Sequence, residues 1–327
     1  MLTLTMRPYG GEADLEAIAH LLNTCAAFER QDDWISVSEL RLEFDDPSID
    51  KQQDIRLWED ADGKLIGFGQ MWIPPSGDNN DGFLWFNVHP QSRGGYLEKQ
   101  AIAWGEQRMR EVATDRGVCV RLRAGSRDDN SDSPSETLRE RMAILESSGF
   151  TPDRYFFTME RSLVEPLPEP KLPEGFTLRQ LQGEQEVEAW VEMFNQTFID
   201  HWNHHPLTVE SHKHWFTDPN YQPEFDLVAI APDGTFAAFC FCYINPEENE
   251  HFARKEGWIA DLGTRRGFRK IGLGRAMLLA GMHQLKAAGM DTAKLGVDAD
   301  NPNGALQLYE SVGFRKLHTN ISYYKDV

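Results

Sequence analysis

Apolar and polar residues follow two spacings along this chain, and the spacings recur in one order in each half. From Gly11-Glu12-Ala13-Asp14-Leu15-Glu16-Ala17 the apolar positions return at helical spacing to about Phe28. From Gly183-Glu184-Gln185-Glu186-Val187-Glu188-Ala189 they do so to about Phe198. Each pattern predicts an amphipathic helix. Asp46-Pro47 and Asp218-Pro219 then precede paired β-rich runs. These are Ile55 to Glu59 and Lys64 to Ile73 around Asp62-Gly63, and Leu227 to Ile230 and Thr235 to Ile244 around Asp233-Gly234. An Asp-Gly pair between such runs predicts a hairpin. A strand follows in each half, Phe83 to Val88 and Trp258 to Thr264, then an arginine-containing turn and a long helix. Strands at Val118 to Arg123 and Thr292 to Val297 come next. Each half closes with a short helix and a strand, marked by Leu145-Glu146-Ser147-Ser148-Gly149-Phe150 and Tyr309-Glu310-Ser311-Val312-Gly313-Phe314.

Self-similarity over half a chain means two copies of one fold. The order in each copy predicts an α/β domain whose mixed, mostly antiparallel sheet is flanked by helices. Between the copies, Leu163-Val164-Glu165-Pro166-Leu167-Pro168-Glu169-Pro170-Lys171-Leu172-Pro173-Glu174-Gly175 is proline-rich without apolar period and reads as an extended linker. The expected division is therefore 1–162, a linker at 163–174, and 175–327.

Charge narrows the function. The 327 residues hold 52 acidic and 33 basic side chains, a net charge of -19, which argues against partners rich in phosphate, nucleic acid and anionic membranes alike. No apolar run is long enough to cross a bilayer. The opening Met1-Leu2-Thr3-Leu4-Thr5-Met6-Arg7 leads into a strand-like pattern and lacks the order of a signal peptide. Cys25, Cys119, Cys240 and Cys242 show neither disulfide-scaffold nor metal-ligand spacing, so reduced thiols in a cytoplasmic protein are expected. Oligomeric state is not legible.

One turn carries chemistry. After the strand ending at Thr264 come Arg265, Arg266, Arg269 and Lys270, and then Gly272 and Gly274 open a helix. Glycine lets backbone approach a ligand, the first-turn amides lack partners, and the helix dipole adds positive potential there. Together they form an anion seat suited to a pyrophosphate. Further on stands Asn301-Pro302-Asn303-Gly304-Ala305-Leu306-Gln307-Leu308-Tyr309, followed by Gly313-Phe314. The Arg-x-x-Gly-x-Gly turn at 269–274, with Asn301, Ala305, Tyr309 and Gly313-Phe314, resembles the GNAT superfamily of N-acetyltransferases. The paired layout is similar to that of the tandem GNAT proteins, the mycothiol synthases among them.

That resemblance implies an acyl-CoA-dependent transfer to a primary amine, with acetyl-CoA as co-substrate and no metal. It implies that Arg269, Lys270, Ile271, Gly272, Leu273, Gly274 and Arg275 hold the pyrophosphate, chiefly through the amides of Gly272 to Arg275. It implies that the backbone of Leu262, Gly263 and Thr264 pairs with the pantetheine arm, and that an amide there stabilises the oxyanion. Asn301 or Asn303 is the polar contact to the arm, because one residue is inserted before Ala305. Tyr309 matches the tyrosine that protonates the departing thiolate. A free thiol has a pKa of about 8.5, so a nearby phenol assists expulsion.

The general base is Glu256, Asp261 or a water chain. Strand alternation sets Glu256 and Asp261 on opposite faces of an unbroken strand. His201, His204, His205, His212 and His214 follow no closed metal-site pattern. The expectation is that one or more of His201, His204 and His205 faces the acceptor. In the first copy, aligning Val88 with Thr264 sets Arg93 on Arg269, Tyr96 on Gly272 and Glu98 on Gly274 unless a gap re-registers Gly94 and Gly95, and Leu145 stands where Tyr309 does. A carboxylate repels pyrophosphate, so the first copy is expected to be structural or to shape the acceptor pocket. Two other readings stand beside an amine acetyltransferase of unidentified acceptor: a coenzyme-binding sensor without turnover, and a mycothiol synthase proper.

Overall fold

The computed structural model describes residues 4–74, 80–128 and 136–327. The first three residues of the opening strand pattern lie outside the described residues. Contacts gather the chain into two compact units, Met1–Tyr155 with Thr319–Val327, and Phe156–His318.

The first repeat supplies β1 (Thr5–Pro8), α1 (Leu15–Glu29), α2 (Val37–Phe44), α3 (Lys51–Asp54), β2 (Ile55–Glu59), β3 (Leu65–Trp72), β4 (Asp81–Val88), α4 (Tyr96–Arg116), β5 (Arg121–Asp128), α5 (Glu136–Ser147) and β6 (Thr151–Ser162). The second supplies β7 (Thr177–Gln180), α6 (Val187–Phe198), α7 (Val209–Trp215), β8 (Asp226–Ile230), β9 (Phe236–Tyr243), α8 (Pro246–His251), β10 (Glu256–Thr264), α9 (Leu273–Ala287), β11 (Thr292–Asp298), α10 (Ala305–Ser311) and β12 (Arg315–Asp326). The predicted order holds, with α2, α3, α7 and α8 as additional helices. Strand β5 starts three residues later than its pattern suggested and runs on to Asp128. Gly117, at φ 67°, caps α4, and Val118 donates its amide to Ala113 of that helix, so Val118 belongs to the cap.

The units do not divide at the proline-rich segment, contrary to the boundaries read from the repeat. Residues 156–162 of β6 pair antiparallel with β11, while residues 319–326 of β12 pair antiparallel with β5. Each unit thus takes its closing strand from the other repeat. The segment from Leu163 onward also lies against the second unit: Leu163 is buried, and α9 reaches it through His283 to the Pro168 carbonyl (3.0 Å) and Lys286 to that of Glu165 (2.9 Å).

In the second unit the sheet order is β7-β8-β9-β10-β11, closed by β6, and only β10 and β11 run parallel. Strand alternation sorts β9 between two cores. Cys240 and Cys242 face α9, while Phe239 packs with Val228 against Trp190 of α6. Helix α6 buries Val187, Trp190, Met193 and Thr197 at three- and four-residue steps, the spacing that keeps one face inward. Leu273, Met277, Leu278, Met282 and Leu285 of α9 are fully buried. Each such side chain contributes roughly 1.5–3 kcal/mol by leaving water, which pins the helix start against the sheet.

Two irregularities in β10 make room for a site. Its pairing with β11 covers only Glu256 to Ile259 opposite Thr292 to Leu295, after which both strands continue apart. Its pairing with β9 slips between Ile259 and Asp261, so Ala260 forms a bulge.

Candidate active site

Where β10 and β11 part, the second unit holds a cleft of about 280 Å³. The turn after β10 bends through three left-handed residues: Gly267 (φ 101°), Lys270 (φ 64°) and Gly272 (φ 87°). Gly272 is the N-cap of α9 and has open space beside its Cα. Gly274 sits within the first turn, where an added methyl would stand 3.1 Å from the Thr264 hydroxyl. The amides of this turn therefore face a cleft that side chains leave clear.

The cleft brings together most of the residues singled out in the sequence. Leu262, Gly263, Thr264, Arg269, Lys270, Gly272, Gly274, Arg275, Asn301, Asn303 and Tyr309 all line it. Leu273 belongs to the core through its side chain, and the Ile271 side chain is exposed. Asn301 and Asn303 have distinct tasks in this state. Asn301 accepts from the Asn303 amide (2.9 Å), and Asn303 accepts from Arg269 (3.0 Å).

The turn's cations are less available than their number suggests. Arg265 pairs with Glu192, and Arg266 and Arg269 both pair with Asp200. Arg269 also donates to the carbonyls of Thr264 (3.1 Å) and Thr197 (2.7 Å), so it ties the turn to β10 and α6. Lys270 donates to the Asn303 carbonyl (3.1 Å) and Arg275 to the Ser311 hydroxyl (2.7 Å). Among the described residues, these two cations of the turn have no carboxylate partner.

Tyr309 is 7 % exposed, and its ring meets Phe314 edge-on at 6.1 Å. Burial, with Cys240 and Asp261 nearby, raises its pKa well above the ordinary tyrosine range. The phenol consequently keeps its proton at any physiological pH.

The bulge overturns the expected separation of the two acids. Trp258 lies opposite Tyr243 and Asp261 opposite Phe241, and Tyr243 and Phe241 share one face of β9. Ala260 resets the alternation, so Glu256 and Asp261 point to the same side, that of α6 and α7. Their surroundings differ. Glu256 pairs with Lys294 (2.6 Å) and Arg254 (3.0 Å) in a structural cluster. Asp261 makes no hydrogen bond or ion pair among the described residues, and burial raises its pKa to about 6. On β8, Asp226 also lies opposite Phe241. Burial pushes its carboxyl up to about 7, against hydrogen bonds from Trp190 (3.2 Å) and Tyr221 (3.3 Å) and with a further upward push from Asp261. Neither Glu256 nor Asp261 lines the cleft itself; Asp261 immediately precedes Leu262, which does. The sequence reading missed Asp226, because pairing across β9 is not visible along one strand.

Of the histidines, His201 lines the cleft. His212 instead stacks on Trp190 at 4.1 Å inside the core, where burial lowers its pKa to about 4.

The first unit preserves this architecture and fills it. Arg93 donates to the Val88 carbonyl (3.0 Å) as Arg269 does to that of Thr264. Gly95 (φ 86°) then caps α4 as Gly272 caps α9, so the turn is one residue shorter. The register read from sequence is corrected by that residue: Tyr96 stands at Leu273, Leu97 at Gly274, and Glu98 at Arg275. The Glu98 carboxylate accepts from the Gly95 amide (2.9 Å) and so occupies the anion seat itself. Pairing of β4 with β5 stops at Leu84 and Ala124. Beyond it, Arg141 bridges the carbonyls of Phe86 (3.1 Å) and Gly125 (2.9 Å). Arg141 stands where the second repeat has Ala305, and only about 30 Å³ remains open there. The Gly149-Phe150 register makes this substitution readable from sequence.

The chain between Val187 and Phe314 matches the acetyltransferase (GNAT) family. A mycothiol acetyltransferase of Thermobispora bispora is 32 % identical over 262 residues, 80 % of either chain. One of Kineococcus radiotolerans is 29 % identical over 318 residues, covering 93 % of this chain and 91 % of the relative. Among solved structures, a GCN5-related N-acetyltransferase from Sphaerobacter thermophilus superposes with a TM-score of 0.72 at 24 % identity, over 99 % of this chain and 95 % of the other. A tandem GNAT protein from the clavulanic acid biosynthesis pathway gives 0.71 at 13 %, over 99 % and 98 %. The chain belongs to the GNAT acetyltransferase family, built as a tandem pair. It is an acetyl-CoA-dependent N-acetyltransferase, related to the mycothiol acetyltransferases. No helix among the described residues is long and apolar enough to cross a membrane.

Proposed function

We infer that the second unit transfers an acetyl group from acetyl-CoA to the primary amine of a small-molecule acceptor by direct attack, and that the first unit holds no coenzyme. The observation that carries this reading is the single cleft shared by the glycine turn, the parted strand Leu262–Thr264 and the Tyr309 phenol. In this reading the first-turn amides of α9, with Lys270 and Arg275, hold the pyrophosphate. The backbone of β10 pairs with the arm, and one of its amides steadies the oxyanion. Asp261 accepts the proton of the attacking amine. The N–C bond forms, the C–S bond breaks, and Tyr309 gives its proton to the sulfur. Glu256 stays paired with Lys294 and keeps the bulged strand in place.

A mycothiol-type acceptor, with its amine on a cysteinyl pseudo-disaccharide, is the specific substrate favoured by the relatives' names. The test offers that compound beside simple amines and amino sugars, with acetylated product read by mass spectrometry. The expected outcome is transfer to a primary amine, fastest with the cysteinyl compound. Binding of acetyl-CoA without acetylation of any amine contradicts the enzymatic reading of the cleft.

A further inference from the structure

Among the described residues that line the coenzyme cleft, one has a side-chain polar atom that is fully buried without a partner. Thr197, in the last turn of α6, is 7 % exposed, and its hydroxyl oxygen is buried without a hydrogen-bond partner among the described residues. The residue lines the cleft. Its methyl packs toward the middle of the parted strand: a methyl placed on Gly263 would come within 2.4 Å of it. A threonine near a helix end can bond back to a carbonyl one turn earlier, and here it does not. An unpaired buried hydroxyl destabilises the fold relative to a paired one.

The repeat offers a comparison. Gly11–Ala17 parallels Gly183–Ala189, which sets Cys25 at the position of Thr197. In the filled first unit, the Cys25 thiol donates to the Val88 carbonyl (3.3 Å). In both units this carbonyl also accepts from the turn's arginine, but in the open second unit the matching carbonyl, that of Thr264, takes no hydrogen bond from the Thr197 hydroxyl. The unit whose cleft is closed satisfies this position internally; the unit whose cleft is open does not.

We propose that Thr197 is a coenzyme-positioning residue whose hydroxyl donates to a carbonyl oxygen of the acyl-pantetheine arm lying along Leu262–Thr264. The pyrophosphate seat lies further on, at the turn where α9 begins, whereas Thr197 packs on the strand. The arm's amide and thioester carbonyls are acceptors, which suits a donor that the protein leaves unused. This assignment rests on the reading of the cleft as the acetyl-CoA site.

The assignment makes two effects of opposite sign. Thr197→Val keeps the shape and removes the unpaired oxygen, so the free protein is expected to melt at the same or a higher temperature. Its KM and its dissociation constant for acetyl-CoA are expected to rise roughly fivefold to tenfold, the value of one neutral hydrogen bond, with kcat nearly kept. Thr197→Ser keeps the hydroxyl without the methyl and is expected to retain the wild-type KM. A Thr197→Val protein that melts lower or fails to fold shows a structural hydroxyl and overturns the proposal. So does an unchanged dissociation constant, or a raised KM in Thr197→Ser. Failure of the wild-type protein to bind acetyl-CoA in the same calorimeter instead sinks the reading of the cleft.

Discussion

Replacing Tyr309 with phenylalanine is expected to lower kcat by roughly 10²–10⁴, the range typical for a positioned proton donor, while the KM for acetyl-CoA changes little. The fold gives no reason for collateral damage. Phenylalanine fills the same volume, and the phenol oxygen makes no hydrogen bond among the described residues that its loss would break. The chemistry gives a strong reason for the loss. The departing thiolate needs a proton inside a cleft sheltered from water, and burial keeps the Tyr309 phenol protonated. Steady-state rates with saturating acetyl-CoA check this, and a melting curve confirms that the variant is folded. Undiminished turnover in a folded Tyr309→Phe protein means that the thiolate leaves without this phenol.

The second large effect is expected at Asp261. A general base works when ionised, so kcat/KM of the wild type is expected to rise with pH through about 6 and level off above it. Asp226, titrating near 7 across Phe241, is coupled to it, and the ascending limb reports the pair. Asp261→Asn removes the base without changing side-chain size. It is expected to cost about 10² or more in kcat/KM at pH 8 and to abolish the limb near pH 6. A variant that keeps both the rate and the limb assigns the proton transfer to water or to another group. Glu256 is the poorer candidate: Lys294 and Arg254 both pair with its Oε2 and hold it in a structural cluster.

The sequence exposed the fold through its duplication. Turn residues, helix periods and the Gly149-Phe150 and Gly313-Phe314 pairs lie in phase, so one copy explains the other. The anion seat was equally legible, since glycines before a helix have few other uses beside a cluster of arginines. What stayed hidden depends on contacts between distant segments. The bulge at Ala260 has no signature within β10 alone, yet it decides which acids share a face. The cations of the turn looked free until Glu192 and Asp200 were brought beside them by α6 and the residues after it. The exchange of closing strands is invisible in a pattern that reads the same for either partner. The deletion in the first turn shifted one register by a residue, and only the φ of Gly95 reveals it. The conclusion drawn from that register survived for a more specific reason. Glu98 repels a pyrophosphate and also already occupies the Gly95 amide, the first of those that would bind one.

The central claim is one coenzyme site per chain, in the second unit, with its twin filled by Glu98 and Arg141. Calorimetric titration of the full chain with acetyl-CoA tests it most directly, beside an Arg275→Glu variant that copies into the second turn the carboxylate the first already carries. The account predicts about one acetyl-CoA bound per wild-type chain and none in the variant. Two equivalents in the wild type, or one that survives Arg275→Glu, contradicts it.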